Sequence, residues 1–213
     1  MGNLSDNEES ELLRTDDNRD CGNRVYKGKI SELWKYKTLR VNLIVLVLCW
    51  CTCSIGYYVL AYVLKYLNGS IFSLGYASAA GEVFGKLSTI PILKYFSLRR
   101  VFLLAFGMST ISLALMIFCR DSELLTPVLL LVNRFFFSQA YVLSYLSIVL
   151  LYPTVLAASA GGICVMVSKS VTIIAPMIAE VRSPLNLLIV LCVSLTAAIG
   201  SQFMNDEHES SDQ

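Results

Sequence analysis

The sequence predicts an all-α, polytopic integral membrane protein with six transmembrane helices. Hydrophobic residues make up 55% of the 213-residue chain and charged residues only 15%, which excludes a soluble globular domain. A helix needs about 20 consecutive apolar residues to cross the hydrocarbon core of a bilayer. Six segments of about that length follow one another, each bounded by charged residues, Pro or Gly: Val41–Leu64, Ile71–Leu93, Val101–Cys119, Pro127–Leu151, Ala157–Ala179 and Pro184–Phe203.

Polar tails flank these segments. Residues 1–33 begin rich in Asp, Glu, Asn and Ser and become basic toward the membrane, which predicts a disordered tail with an interfacial end. Residues 34–203 are predicted to form one six-helix transmembrane bundle, and residues 204–213 a second polar tail. Because the joining loops are short, we expect neighbouring helices to be antiparallel.

The distribution of Lys and Arg predicts the orientation in the membrane. An even number of spans places both termini on one side, and most of the Lys and Arg residues outside the spans lie there. The opposite loops carry only Lys65, Arg120 and Arg182. By the positive-inside rule we expect both termini in the cytoplasm, although the sequence does not indicate which membrane the protein occupies.

In the first span, two adjacent tyrosines lie a little beyond the middle. Tyr57 and Tyr58 point in directions about 100° apart on a helix, so we expect at most one of them to line a pocket. Either Tyr57 or Tyr58 is expected to form the aromatic wall of such a pocket.

The second span carries a carboxylate and an ammonium group near its middle. Glu82 and Lys86 are four residues apart and therefore point in nearly the same direction. A charge at mid-membrane costs about 2.5–3.5 kcal/mol, whereas a polar contact between membrane helices contributes only about 0.6 kcal/mol on average. The pair is expected either to pack against a neighbouring helix as a structural ion pair or to line a water-filled cavity.

The fourth and fifth spans each add one basic residue. Arg134 begins a stripe in the fourth span that continues through Ser138, Tyr141 and Tyr145. Its guanidinium is expected either to face a cavity or to extend to the outer interface. Lys169 lies closer to mid-membrane, so we expect it in a cavity.

Small residues and a proline predict where helices approach or flex. Gly81 and Gly85 are one turn apart, a spacing typical of a close helix contact. Gly161 and Gly162 in the fifth span are expected to let helices approach and bend, and Pro176 follows near its end.

The charges inside the spans sum to an excess of two positive charges, because one carboxylate faces three basic groups. An unpaired excess of cations in hydrocarbon is easier to explain by an aqueous pocket that receives an anionic or polar solute than by scaffolding. The candidate substrate-binding residues are Glu82, Lys86, Lys169, Arg134, Tyr57 and Tyr58.

Enzymatic activity is not expected. Membrane proteases, desaturases and acyltransferases use His clusters, paired Asp residues or an activated nucleophile, whereas the single His of this chain, His208, lies in the tail. The cysteines match no metal-binding spacing and are interpreted as small apolar residues. No P-loop occurs. We therefore predict no catalytic residue, no cofactor, no metal site and no nucleic-acid partner.

Several motifs resemble the organic cation/organic anion transporter branch of the major facilitator superfamily. That branch typically has an Arg-Phe pair, a Leu-Tyr-Pro-Thr turn, a Gly-rich segment, a basic residue and Ala-Pro in its tenth and eleventh helices. The chain has these in the same order: Arg134-Phe135, Leu151-Tyr152-Pro153-Thr154, Gly161-Gly162, Lys169 and Ala175-Pro176. Trp50 with Tyr57-Tyr58 is similar to the seventh helix of the branch, Glu82 with Lys86 to its eighth, and Leu98-Arg99-Arg100 to the loop that follows.

The resemblance covers about Leu33–Phe203 and corresponds only to the C-terminal six-helix half of a twelve-helix carrier. Two charges of the pattern are missing, because Leu150 and Ala157 replace an acid and an Arg that help to latch one conformation in the family. The resemblance implies secondary transport of small organic ions by alternating access, with the site between two six-helix bundles. Partners are then the lipid bilayer, the solute and a second bundle, either a second copy or a separate half. Alternatives are a non-transporting membrane scaffold or binding protein, or an incomplete fragment of such a carrier.

Overall fold

The computed structural model describes residue 34 and residues 37–67, 70–119, 122, 124–181 and 184–204. The predicted tails, residues 1–33 and 204–213, lie outside the described part except for Met204. Within it the chain is all-helical and contains no strand, which confirms the all-α part of the predicted fold class. The helices are α1 (Lys37–Val63), α2 (Ile71–Tyr95), α3 (Leu98–Phe118), α4 (Leu125–Leu151), α5 (Thr154–Thr172), α6 (Ala175–Glu180) and α7 (Leu185–Gly200).

Five segments of the described chain are long and apolar enough to cross a membrane: Lys37–Tyr66, Leu98–Phe118, Leu125–Leu151, Thr154–Glu180 and Leu185–Phe203. The protein is therefore an integral membrane protein by the length and composition of its helices. Helix α2 is a 25-residue helix at the predicted place, but it is not among the five. Glu82, Lys86 and the small residues around them lower its hydropathy, so that a sixth span stays a prediction.

The sequence predicts the fifth span as one continuous segment, but the structure divides it into two helices. Helix α5 ends at Thr172 and α6 begins at Ala175, with Pro176 in its first turn. Proline has no backbone N–H and clashes with a preceding helical turn, but it is tolerated in a first turn. The interruption therefore lies just before Pro176, a predicted packing or hinge position, and not at Gly161 or Gly162, where the sequence predicts bending.

Helix α4 connects the two sides of the bundle. It packs against α1, α2 and α3, while α1 also packs against α5, α6 and α7, and α3 against α7. Asn133 Nδ2 donates a hydrogen bond to the backbone O of Ser109 at 3.1 Å, and Ser112 Oγ to that of Leu129 at 2.8 Å, which join α3 and α4. Helices α1 and α2 do not pack closely against each other. A groove therefore separates α1 from α2, with α4 as its floor.

Contacts at the helix ends show that the start of α1 and the end of α7 lie at the same end of the bundle. Tyr152 Oη donates a hydrogen bond to the backbone O of Leu39 at 3.2 Å, and Arg99 Nε donates one to the backbone O of Met204. The Lys65–Glu180 ion pair, with 3.2 Å between Nζ and Oε1, lies at the opposite end. This arrangement agrees with the predicted even number of crossings.

Candidate functional site

A carboxylate lies at the centre of the groove. Glu82 Oε1 is 2.5 Å from the Nζ of Lys86, one turn further along α2. Its other oxygen, Oε2, accepts a hydrogen bond of 3.1 Å from the Oη of Tyr57 on α1. Both oxygens of Glu82 therefore have a partner, and the two helices that do not pack closely are bridged by a polar contact.

Arg134 adds a buried cation to this cluster. Only 4% of the residue is exposed, and its Cζ is 4.7 Å from the ring centroid of Tyr57, a distance typical of a cation–π interaction. The alternative in which Arg134 extends to the membrane interface is therefore wrong. Its Nε is buried and has no hydrogen-bond partner, so the guanidinium has a donor to spare.

The groove contains a cavity of about 240 Å³ that opens to the outside of the bundle. Seven residues from α1, α2 and α4 line it: Ser54, Tyr57, Tyr58, Glu82, Lys86, Ser138 and Tyr141. The expectation that only one of the two adjacent tyrosines faces a pocket is wrong. The groove is wide enough to take both, and the Tyr57 and Tyr58 rings meet edge to face, with centroids 5.4 Å apart.

Lys169 is near this cavity but does not line it. Its Nζ lies 5.5 Å from the ring centroid of Tyr58, and its side chain is exposed on α5. The two tyrosines thus each contact one cation, Tyr57 that of Arg134 and Tyr58 that of Lys169.

The predicted stripe on α4 continues the site as an aromatic wall. Tyr141 lines the cavity, and its Oη is 3.4 Å from that of Tyr145. Behind them, the fully buried Trp50 has its ring centroid 4.4 Å from that of Tyr145 and an indole Nε1 without a partner. Ser54 was missed by sequence reasoning, although it lies one turn before Tyr57 and Tyr58 and could have been found from that spacing.

The close packing of α2 on α4 holds Glu82 in position. A Cβ added to Gly81 would overlap the backbone O of Leu131, and one added to Gly85 that of Phe135, so the predicted close contact is confirmed. Ser138 Oγ also donates a hydrogen bond of 3.1 Å to the backbone O of Glu82. The absence of side chains at both glycines lets the two backbones approach.

The glycines of α5 differ from each other. A Cβ at Gly161 would lie 3.2 Å from the side chain of Ile148 on α4, whereas one at Gly162 would meet nothing within 4 Å. Of these two glycines of α5, only Gly161 therefore lies where two helices approach.

Chemically, the site offers cations and donors rather than acceptors. Both oxygens of its carboxylate accept hydrogen bonds, Lys86 adds an ammonium group whose side chain is 48% exposed, and Arg134 lies behind the lining as a buried positive charge. Aromatic faces line the remainder of the cavity. Such a surface can hold a small solute that has an anionic or acceptor group and an apolar body.

No family model matches the chain. Over 123 residues it is 31% identical to a Caenorhabditis elegans protein described as "Putative transporter svop-1". The matching segment is 58% of this chain but 24% of that protein, so the chain spans about a quarter of the length of its relative. The match supports a general relationship to transporters and does not distinguish one branch of transporters from another.

Proposed function

We propose that the protein is a secondary transporter of small organic ions and that it works as one half of a two-bundle assembly. The observation that carries this proposal is the charged cluster of Glu82, Lys86 and Arg134 at an open cavity among apolar helices. Charged groups inside a membrane are costly and usually belong to a solute or ion pathway. The similarity to a transporter and the resemblance to the C-terminal half of a major facilitator support it independently.

The charge of the site favours organic anions among the possible solutes. Lys86, Arg134 and Lys169 outnumber the single carboxylate, and the buried donors without partners near the site are the Nε of Arg134 and the Nε1 of Trp50. A second bundle contributes its own charges to the complete site, which is why the proposal covers organic ions as a class.

A second six-helix bundle is part of this proposal because the cavity is open on one side. The groove between α1 and α2 has α4 behind it, and no residue that the structure describes forms a wall opposite. Carriers of this kind bind the solute between two bundles that rock about a central site. A second copy of the chain or a separately encoded half would supply the missing wall. In this assembly both termini of the chain lie in the cytoplasm, and α2 crosses the membrane in addition to the other five spans.

The proposed function is tested by uptake into proteoliposomes that contain the full assembly. We expect uptake of organic anions to exceed that of organic cations of similar size. Replacing Lys169 with Ala is expected to lower anion uptake several-fold, because it removes one of the three cations around the two tyrosines. A mutation at the opposite end of the bundle, Lys65→Ala, removes the same charge far from the cavity and serves as the control. Unchanged uptake by Lys169→Ala would refute its role beside the site.

A non-transporting membrane protein that binds other proteins or lipids is the alternative. It is favoured by Leu150 and Ala157, which stand where the resembling family has charged latch residues. The two functions differ in assembly: a transporter of this design needs two bundles, whereas a binding protein does not. Native gels and crosslinking in membranes should give at least twice the 23.6 kDa of one chain. A stable, solitary chain would support the alternative.

A further inference from the structure

We propose that Glu82 is an internal competitor of anionic solutes, which occupies Lys86 until a proton neutralises it. The inference rests on the proposed function, because it describes how the same site would take up its solute. It makes binding of the anion depend on protonation of one carboxylate. A carrier with such a site would move a proton together with each anion.

Glu82 takes the position that the carboxylate of a solute would take, with 2.5 Å from its Oε1 to Lys86 Nζ and 3.1 Å from its Oε2 to Tyr57 Oη. Its backbone is fixed by Ser138 and by the close α2–α4 contact. The side chain of Glu82 therefore already binds the ammonium group and the hydroxyl group that an incoming anion would need.

Glu82 leaves a buried donor of the cluster unused. The Nε of Arg134 is buried without a partner, although Arg134 is 4% exposed and its guanidinium lies over the Tyr57 ring. A buried donor without a partner is costly, and such groups usually signal a missing acceptor. An anion in the cavity would supply that acceptor, but Lys86 cannot turn to it while it is paired with Glu82.

The charged groups around Glu82 are positive. In the described part of the chain, Glu82 is the one carboxylate of the cluster. The titratable and charged groups that surround it are Tyr57 and Tyr58 from α1, Lys86 from α2, Arg134 and Tyr141 from α4, and Lys169 on α5, which contacts Tyr58. A proton on Glu82 removes the only negative charge, breaks the ion pair with Lys86 and leaves the cluster more positive. Protonation and anion binding therefore favour each other, as reciprocal linkage requires.

The test measures binding of benzoate to the full chain in lipid nanodiscs by equilibrium dialysis, at about pH 5.5 and about pH 7.5. We expect the wild-type protein to bind benzoate about threefold or more tightly at the lower pH. Glu82→Gln, which lacks the competing charge, is expected to bind as tightly at the higher pH as the wild type does at the lower, and to lose the pH dependence. Glu180→Gln makes the same change at the opposite end and should behave like wild type.

A spectroscopic measurement keeps the proposal testable if affinities are low. Difference infrared spectroscopy follows the C=O band of a protonated carboxylic acid, and benzoate should increase the part of this band that Glu82→Gln lacks. The proposal would be overturned if Glu82→Gln bound benzoate no more tightly than the wild type at the higher pH, if its binding kept the pH dependence, or if neither form bound benzoate. These measurements need no transport, so failed uptake with the expected binding pattern would contradict only the proposed function.

Discussion

Replacing Gly85 with alanine is expected to destabilise the bundle by about 1–3 kcal/mol, the usual cost of extra atoms in a well-packed interior. The added methyl group would overlap the backbone O of Phe135 on α4. Backbone cannot rotate out of the way as a long side chain can, so the two helices would have to separate. Because α2 is held mainly by α4, the effect should extend to the position of Glu82. Thermal unfolding of the detergent-solubilised protein measures the loss of stability.

Gly107 supplies the matched control for this change. It is also inside a helix, α3, and a Cβ at this position would meet nothing within 4 Å. Gly107→Ala is expected to be neutral or to stabilise the protein slightly, because alanine favours helix by about 0.5–1 kcal/mol relative to glycine. Equal unfolding temperatures for the two alanine variants would show that the close α2–α4 contact does not limit stability.

Replacing Arg134 with methionine is expected to reduce organic anion uptake about tenfold or more while leaving the protein folded. Losing one partner of a desolvated charged contact commonly costs 2–5 kcal/mol, roughly 30-fold or more in affinity. Folding should survive, since Glu82 keeps Lys86 and Tyr57 as partners in this variant and no carboxylate is left unpaired. Initial uptake rates in proteoliposomes and the unfolding temperature of the same preparation give both quantities.

Arg134→Lys separates charge from shape in this experiment. The lysine variant keeps the positive charge but loses the planar guanidinium over the Tyr57 ring and its several fixed donors. We expect it to retain part of the uptake that Arg134→Met loses. If the methionine variant transports at the wild-type rate, the buried guanidinium has no part in solute binding and its role is structural.

Local sequence was sufficient to predict most of the helices and their bounds. Four of the six segments, the first to the fourth, match helices within a few residues, because the need to satisfy backbone hydrogen bonds in an apolar run acts over consecutive residues. The sixth matches a helix closed by a short 3₁₀ turn, Ser201–Phe203. The fifth differs at Pro176, whose position was noticed but whose interruption of the helix was not predicted. The cluster of Glu82 with Lys86 followed from their spacing alone.

Other features of the site depend on how the helices pack. Sequence spacing could not decide whether Arg134 extends to the interface or lies over Tyr57, because both are compatible with one position on one helix. Nor could it predict that Tyr57 and Tyr58 both reach the cavity or that Lys169 remains beside it. These outcomes depend on the rotation of each helix and on the distance between its neighbours.

The sequence by itself determined that this is a helical membrane protein and which of its polar residues lie within apolar segments, because hydropathy and helical periodicity are properties of neighbouring residues. The tertiary structure decided which of those residues meet. Gly81 and Gly85 let α2 and α4 approach, while α1 and α2 remain apart. That difference in helix separation creates the cavity and brings Glu82, Tyr57 and Arg134, distant in the sequence, into one cluster.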